Sequence, residues 1–375
     1  MASKTVLGGR EAITVAIAQI SPVYLDKAAS TARAVDAIAE AAAGNADMIV
    51  FPETWLAGYP YWTEGWDSPL DTWVQTRIRF RDAAVMVGDE SCHSLGEAAA
   101  RHEIHVVMGV NELDDTVGSD TIYNSQFFFD RQGVLYGRRR KLMPTFIERV
   151  FWGRGTADDV RVFDTDVGRV GGLICGEHLM PLVRGAMVEL GEEIHVASFP
   201  GAFALHAGPQ LESPDPGQNF WGHSSVRNHA FEAGAFVLSA CAYVDPDDID
   251  DAFPHKASMN LSYATGGSSV ISPLGVPLVE PSTGSGLRFA ECPAWMIKAV
   301  KAIVDAGGHY SRPDAFRLQV LGVDGWQTMS QARIDTTSVR PGELERAADA
   351  YEVSIDTVRE VAELHAAGRS QGQET

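Results

Sequence analysis

Three side chains that could do chemistry lie at the ends of predicted strands in this sequence of 375 residues. Glu53 comes after the run Asp47–Phe51 and lies among five aromatic residues. Lys141 closes a basic run and precedes Leu-Met-Pro, and Cys175 ends a run of mostly small and apolar residues that begins at Gly168. A carboxylate, an ammonium group and a thiol are the groups that nucleophilic catalysis with proton transfer uses.

The surroundings of each group favour one chemical role. Aromatic neighbours desolvate the Glu53 carboxylate, which raises its pKa toward that of a working general base. A buried Lys141 ammonium could meet negative charge that develops on a substrate. We expect Cys175 to be exposed at a strand end before a helix, where the helix N-terminus would lower the thiol pKa. Backbone N–H groups of the same turn could hold an oxyanion. The remaining cysteines are expected to be structural: Cys92, Cys241 and Cys292.

The pattern of apolar residues predicts the elements that hold these side chains. A strand at Ile13–Ile20, a helix at about Ala28–Ala43 and a strand at Asp47–Phe51 form a parallel βαβ unit. Further strands are predicted at 104–110, 125–130, 133–136, 170–175, 194–198, 235–242, 267–271, 276–279 and 287–291, and further helices at 94–101 and 226–234. The sequence therefore predicts one α/β domain to about residue 320, followed by an extension.

Composition and charge exclude several classes of protein. With 45% hydrophobic and 21% charged residues, the chain has the balance of a globular protein with a sizeable core. Thirty basic against fifty acidic residues give a net charge of −20, which argues against binding to nucleic acid or to an anionic membrane. No apolar run of about 18 residues and no signal peptide is present, and the four cysteines are scattered. These features predict a soluble, cytoplasmic protein.

Familiar cofactor and metal motifs do not fit this sequence. The stretch His102–His105 is one residue short of the H-E-x-x-H zinc motif. Gly153–Asp158 lacks the third glycine of a dinucleotide loop, and no Walker A sequence occurs. A helix–turn–helix in the tail is disfavoured, since Pro341–Thr375 holds eight acidic and three basic residues. The chemistry suggested above requires no metal or organic cofactor.

The sequence around Glu53, Lys141 and Cys175 resembles the nitrilase branch of the carbon–nitrogen hydrolase superfamily. The matching motifs are Phe-Pro-Glu-Thr-Trp at 51–55, Arg-Arg-Lys-Leu-Met-Pro-Thr at 139–145, Cys-x-Glu-His-x-Met-Pro at 175–181, and the segments His195–Gly201 and His309–Asp314. The resemblance covers about residues 11 to 320. It implies a four-layer αββα sandwich, in which two sheets are flanked by helices. We expect a catalytic domain at 11–314 and a C-terminal helical extension at 315–375.

The resemblance also implies roles for individual residues. By position, Cys175 would be the nucleophile, Glu53 the general base and Lys141 the group that stabilises the tetrahedral intermediate. Glu148, seven residues after Lys141, matches a second glutamate that is often counted as a fourth catalytic member. One departure concerns Gly176, because the family usually has Trp or Tyr after the nucleophile. The loss of a large ring leaves the size of the substrate open.

The implied activity is hydrolysis of an organic nitrile to its carboxylic acid and ammonia, through a cysteine thioimidate and then a thioester. The same Glu-Lys-Cys scaffold would also serve an amidase, an N-carbamoyl hydrolase, or a cyanide hydratase or dihydratase. A catalytically silent binding protein of this fold is a further alternative, against which the intact triad speaks.

The last part of the chain and one long loop suggest self-association. Nitrilases that resemble this sequence form dimers that extend into spirals through surface insertions and C-terminal tails. The loop Leu205–Gly222 and the extension, with a helix or helix pair at Gly342–Ala367, could serve this purpose here. Four apolar residues of the tail fall on roughly one helical face: Val353, Val358, Val361 and Leu364. We therefore expect a homo-oligomer, which is at least a dimer and could extend into a helical filament.

Overall fold

The computed structural model describes residues 5–63, 68–202, 221–316 and 318–320. One compact unit comprises Met1–Gly155 and Asp159–Leu318, and a second comprises Thr156–Asp158 and Gln319–Thr375. The predicted tail helices and all but the last two residues of the loop Leu205–Gly222 lie outside the described residues. All strands and α-helices of the described residues lie in the first unit.

The described part of this unit contains strands and helices in alternation. The strands are β1 (Ala12–Gln19), β2 (Met48–Val50), β3 (His105–Leu113), β4 (Ile122–Phe129), β5 (Leu135–Arg140), β6 (Val162–Thr165), β7 (Gly168–Ile174), β8 (Ile194–Phe199), β9 (Phe236–Cys241), β10 (Gly266–Ile271), β11 (Pro277–Thr283) and β12 (Gly286–Pro293). The helices are α1 (Lys27–Ala43), α2 (Leu70–Asp82), α3 (Glu90–His102), α4 (Pro181–Glu189), α5 (Trp221–Ala233) and α6 (Ala294–Ile303). In the described residues, no helix is both long and apolar enough to cross a bilayer.

Local sequence explains where the early helices begin. Asp26 precedes α1, and its side chain accepts a hydrogen bond from the Ala29 N–H at 2.9 Å. Asp89 caps α3 in the same way through the Cys92 N–H at 2.9 Å. Such capping satisfies N–H groups that have no partner within the helix, and it stabilises each helix start by about 1 kcal/mol.

The strands form two six-stranded sheets of similar design. The first sheet has the order β12-β1-β2-β3-β4-β5 and the second the order β11-β10-β9-β8-β7-β6. Strands β1, β2 and β3 are parallel in the first sheet, as are β7, β8 and β9 in the second, and the other pairs are antiparallel. Each sheet therefore has a parallel centre and antiparallel edges.

The two sheets stack face to face and are covered by helices on their outer faces. Alternation along β1 sends Val15 and Ile17 toward the second sheet, while Ala16 and Ala18 join the cluster formed with α1 and α3. The second sheet packs its outer face against α4 and α5 through apolar residues: Leu173, Val183, Met187, Ala197, Val226 and Ala230. The predicted αββα sandwich is confirmed.

Most of the predicted elements are present, with four differences. The sequence interpretation missed α2, α6 and β6, and it ended the fifth strand at Tyr136, whereas β5 continues to Arg140. Helix α2 escaped notice because its polar sequence buries only Thr76 and Phe80. The basic end of β5 remains a strand because Arg139 is fully buried in an ion pair, while Arg138 and Arg140 on the opposite face bind Glu112.

Candidate active site

Four predicted site residues meet at one edge of the sandwich. The Lys141 ammonium donates to Glu53 Oε1 at 2.8 Å and to Glu148 Oε2 at 2.7 Å. The Cys175 Sγ, one carboxylate oxygen of Glu53 and one of Glu148 all lie within 4.8 Å of one another. All four residues are at most 3% exposed. The structure thus places a thiol, two carboxylates and an ammonium group in a single buried cluster.

Strand pairing positions Glu53 and Lys141. Glu53 follows β2, and Lys141 immediately follows β5, where its backbone N–H donates to the Asn124 carbonyl at 2.8 Å. That bond extends the β4–β5 ladder by one residue and brings Lys141 beside Asn124. The Asn124 side chain also donates to Glu53 Oε1, at 2.6 Å. Asn124 was missed by the sequence analysis because a single polar residue in a strand gives no signal by itself.

Glu53 keeps one oxygen without a hydrogen-bond partner among the described residues. Its Oε1 accepts from both Asn124 and Lys141, whereas the buried Oε2 accepts from no described group. A buried acceptor without a donor is costly, so such an atom at a functional site suggests that it meets a proton or a ligand there. Oε2 is therefore the atom of Glu53 suited to remove a proton.

Glu148 is held by its own short helix and by an aromatic residue. It lies in the short 3-10 helix Phe146–Val150, where its Oε2 accepts from the Thr145 backbone N–H at 2.6 Å. The Tyr59 hydroxyl donates to Glu148 Oε1 at 2.9 Å. Tyr59 is buried, and its ring lies 5.1 Å from that of Tyr61 and 5.5 Å from that of Trp152. These rings keep the acidic groups away from water.

The backbone turns sharply at the cysteine. Cys175 follows β7 and adopts a left-handed conformation with φ of 49°, which is uncommon for a residue with a side chain and is found at functional sites. Glu177 holds the turn, since its two oxygens accept from the Ile174 N–H at 2.7 Å and the Leu142 N–H at 2.8 Å. The buried Arg139 guanidinium binds both oxygens, at 2.7 and 2.6 Å. This ion pair ties the end of β5 to the end of β7, and the sequence analysis did not find it.

The expectation that Cys175 is exposed and has a lowered pKa is not met in the structure. Cys175 is 3% exposed instead of solvent-exposed, and burial, together with the nearby Glu53 carboxylate, raises its pKa well above the ordinary value. Lys141 and the Gly176 backbone N–H act in the opposite direction, toward the thiolate. The expected lowering of the pKa by a helix N-terminus is wrong, because the short helix offers less stabilisation than burial removes. The resting cysteine is a thiol that needs a base.

Burial and neighbouring charges also shift the pKa values of Glu53 and Lys141, the two groups beside the thiol. Burial raises the Glu53 pKa to about 7, with Lys141 opposing the shift and Glu148 adding to it. Burial disfavours the charged Lys141, but Glu148 and Glu53 outweigh that effect and raise its pKa. Near neutral pH the cluster therefore holds a permanent cation and a carboxyl group that titrates close to 7, which is suited to proton transfer.

Gly176 faces a neighbouring residue instead of open space. A Cβ placed at this position would lie 2.6 Å from the Thr145 hydroxyl oxygen and 3.7 Å from the Thr145 Cβ. Thr145 directly precedes the short helix that carries Glu148. The space that a larger residue at position 176 would take is thus occupied here by Thr145.

Comparison with known proteins agrees with this arrangement. Residues 14–302 match the model of the carbon–nitrogen hydrolase family. The chain is 36% identical over 314 residues to an aliphatic nitrilase of Rhodococcus rhodochrous, covering 82% of this chain and 79% of that one. It is also 36% identical over 326 residues to an arylacetonitrilase of Aspergillus niger, covering 83% and 89%. Among solved structures, Saccharomyces cerevisiae Nit3, a member of branch 10 of the nitrilase superfamily, superposes with a TM-score of 0.60 at 23% identity, covering 80% of this chain and 97% of that one.

Proposed function

The chain belongs to the carbon–nitrogen hydrolase family, within its nitrilase branch, and we propose that it hydrolyses an organic nitrile to the carboxylic acid and ammonia with Cys175 as the nucleophile. The observation that carries the proposed roles is the buried contact of Lys141 with Glu53 and Glu148 beside the Cys175 sulfur. The overall change is balanced by two water molecules: R–C≡N and 2 H₂O give R–COOH and NH₃.

The first step joins the sulfur to the nitrile carbon. Because the resting group is a thiol, Glu53 Oε2 takes the proton as the Cys175 sulfur attacks. The nitrile nitrogen gains the electron pair of the broken π bond and receives the thiol proton from Glu53, which leaves a neutral thioimidate and an ionised Glu53. A nitrile carbon is a weak electrophile, and a polarisable sulfur nucleophile is therefore suited to it.

Two additions of water complete the reaction. Glu53 removes a proton from the first water as its oxygen adds to the thioimidate carbon, and passes this proton to the nitrogen. The hydroxyl proton of the tetrahedral intermediate follows the same route, the carbon–nitrogen bond breaks, and ammonia leaves. The remaining thioester is attacked by a second water in the same way. The carbon–sulfur bond then breaks, the acid is released, and the sulfur regains its proton from Glu53.

Lys141 and Glu148 would serve at every charged stage. The Lys141 ammonium and the Gly176 N–H offer two donors to negative charge that develops beside the sulfur, and loss of one such donor typically costs about 3–4 kcal/mol of transition-state stabilisation. Glu148 balances the ammonium and fixes its direction through the contact at 2.7 Å. A Lys141 that is always charged can act as a donor without a protonation step of its own.

The proposal includes location and assembly. All four cysteines are free, and a catalytic thiol fits a reducing compartment such as the cytoplasm. We also propose a catalytic domain at 11–314 and an extension at 315–375 that contributes to a homo-oligomer. The apolar face of the tail sequence supports the latter, because such a stripe is better buried against another subunit than exposed to water.

A panel of nitriles and the matching amides tests the activity. Purified protein is incubated with aliphatic, aromatic and arylacetic nitriles, inorganic cyanide and the corresponding amides, and ammonia and acid are measured. We expect the highest kcat/KM on an organic nitrile. Turnover of amides alone would support an amidase instead, and no turnover of any compound by a folded protein would support a silent scaffold.

A further inference from the structure

Four titratable side chains form a buried chain outside the reacting cluster. They are His178, Glu192, His195 and His229, and each is at most 1% exposed. His178 Nδ1 lies 2.9 Å from the Cys175 carbonyl oxygen, and His178 Nε2 lies 3.0 Å from His195 Nε2. His195 Nδ1 is 2.8 Å from Glu192 Oε2, and His229 Nε2 contacts Glu192 Oε1. These contacts form a hydrogen-bond chain that runs from the Cys175 backbone into the layer between β8 and α5.

The end of the chain at His178 determines the direction of a backbone amide. The Cys175 carbonyl and the Gly176 N–H belong to one planar trans peptide, so the two groups point in opposite directions. His178 binds the oxygen on one side, and the Gly176 N–H on the other side faces the Cys175 sulfur. A peptide that is held at its oxygen cannot rotate its N–H away from the sulfur.

We propose that His178 is a positioning residue, which keeps the Gly176 N–H directed at the reacting sulfur and at the charge that forms beside it, and that Glu192 and His195 supply the proton arrangement this requires. The proposal deepens the nitrile hydrolysis proposed above and rests on it for the turnover measurements. His178 itself touches neither the Cys175 sulfur nor the acidic groups in any contact given by the structure; it acts through the peptide.

The contacts among these four side chains determine where their protons lie. The carbonyl oxygen only accepts, so His178 Nδ1 must carry a proton. Burial lowers the His178 pKa well below its ordinary value, which keeps the ring neutral and leaves Nε2 as an acceptor. His195 Nε2 must then donate to it. One further proton lies between His195 and Glu192, and one lies on His229 Nε2.

The four contacts of this cluster need four protons. His195 and His229 hold the pKa of Glu192 low, so its carboxylate stays ionised, and the proton that lies between His195 and Glu192 balances its charge. The cluster is therefore neutral as a whole, as complete burial demands. A glutamine at 192 would fill the same contacts with no change of total charge, since its amide can donate to His195 Nδ1 while its oxygen accepts from His229.

Glu192, His195 and His229 also have the composition of a metal site, with ligand atoms within 4.8 Å of one another. A metal site and a hydrogen-bond chain place different requirements on Glu192. A metal site needs the carboxylate, whereas the hydrogen-bond chain accepts the amide. Glu192 also packs closely against β7, since a Cβ on Gly171 would lie 2.3 Å from its Oε2.

Two substitutions of His178 separate positioning from general stability. His178→Asn places an amide donor near the Nδ1 position and keeps the bond to the Cys175 carbonyl, but it loses His195. His178→Gln places its amide near Nε2 and keeps His195, but it loses the carbonyl. Both remove one contact of the chain, so a purely structural role predicts similar losses in both.

The first readout needs no substrate. The rate of Cys175 alkylation by iodoacetamide is followed against pH, with peptide mapping to separate the other cysteines. We expect the alkylation rate of His178→Asn to stay within about threefold of the original rate at each pH. In His178→Gln the thiolate loses a donor, so its pH profile should shift to higher pH and alkylation at pH 8 should slow by roughly tenfold. On the best nitrile, kcat of His178→Gln should fall by about 100-fold with KM little changed. Equal behaviour of the two variants overturns the proposal.

Glu192 gives a second test with a matched control. Glu192→Gln should fold and keep alkylation and kcat within about threefold, while Glu192→Leu should reproduce the alkylation shift of His178→Gln. Glu193→Leu serves as the control, because Glu193 is a buried neighbour that instead binds the Leu7 and Arg169 N–H groups; it should lower the melting temperature without moving the alkylation profile. A Glu192→Gln protein that is unfolded or inactive, or stoichiometric metal in the original protein that this variant loses, overturns the proposal. If no nitrile is turned over, the alkylation results still decide the role of His178, so the two proposals fail separately.

Discussion

Asn124 and Lys141 donate to the same oxygen of Glu53, at 2.6 and 2.8 Å, and leave the other oxygen free among the described residues. The two donors stand side by side because the first residue after β5 still bonds to the β4 backbone. Both lower the pKa of Glu53, against burial and the nearby Glu148 carboxylate, which raise it. The balance of these effects leaves the pKa of this carboxyl group at about 7.

The first prediction follows from that balance. A protonated Glu53 cannot accept the thiol proton, so kcat/KM should fall as the pH drops below about 7. Asn124→Leu removes a donor that favours the carboxylate, and the acid limb should therefore move to higher pH. Profiles of kcat/KM from pH 5 to 9 on one nitrile measure the acid limb of the original protein and of the variant. An acid limb in Asn124→Leu that is unmoved or shifted downward would contradict the assignment of Glu53 as the base.

The opposite shift is expected when negative charge is removed. Glu148 raises the pKa of Glu53 by charge repulsion, so Glu148→Gln should move the acid limb of kcat/KM to lower pH. The variant should also lose activity, because Lys141 then has one carboxylate partner instead of two. The diagnostic result is the direction of the shift, measured in the same buffers as Asn124→Leu. Shifts of the same sign in both variants would show that the limb belongs to another group.

The nucleophile can be identified directly. Cys175→Ala removes the only thiol placed beside Glu53 and Lys141 among the described residues, and we expect it to abolish turnover while the circular dichroism spectrum and melting curve stay close to the original. Trapping the original protein with a nitrile and analysing its peptides should find the substrate adduct on Cys175. An adduct on Cys92, Cys241 or Cys292 would refute the assignment.

The sequence predicted the sandwich and the four clustered residues better than it predicted their surroundings. Strands β1, β2 and β7 are visible as apolar runs because both of their faces are buried. The Arg139–Glu177 pair and the donor Asn124 depend on contacts between residues 38 and 71 positions apart, which no local pattern reveals. The exposure of Cys175 was predicted wrongly for a related reason: a strand end can face either water or another layer, and only the packing decides which.

Assembly gives a prediction that stands on the sequence of the tail. If the apolar face with Val353, Val358, Val361 and Leu364 docks on a neighbouring subunit, truncation after Thr337 should reduce particle size more than it changes the rate per site. Light scattering and ammonia release are compared for the full-length and truncated proteins at equal concentration. A full-length monomer, or a truncation that destroys activity without changing particle size, would contradict the proposal.

The contact between positions 176 and 145 predicts a pair of substitutions that compensate for each other. Gly176 does not adopt the left-handed backbone, so alanine is compatible with its conformation, but the new Cβ would lie 2.6 Å from the Thr145 hydroxyl oxygen. Gly176→Ala should therefore displace the Thr145–Glu148 segment, destabilise the protein by about 1–3 kcal/mol and reduce kcat through Glu148.

Thr145→Ala removes the hydroxyl and leaves its Cβ at 3.7 Å, an ordinary contact distance. Because Thr145 is the N-cap residue of the short helix, the substitution alone should cost at most about 1 kcal/mol. Combined with Gly176→Ala it should restore kcat and most of the lost stability. Denaturant unfolding and kinetics of the four proteins form a double-mutant cycle, in which we expect a favourable coupling of at least about 0.5 kcal/mol. Losses that simply add would mean that a side chain at 176 turns away from Thr145 and would contradict the predicted contact.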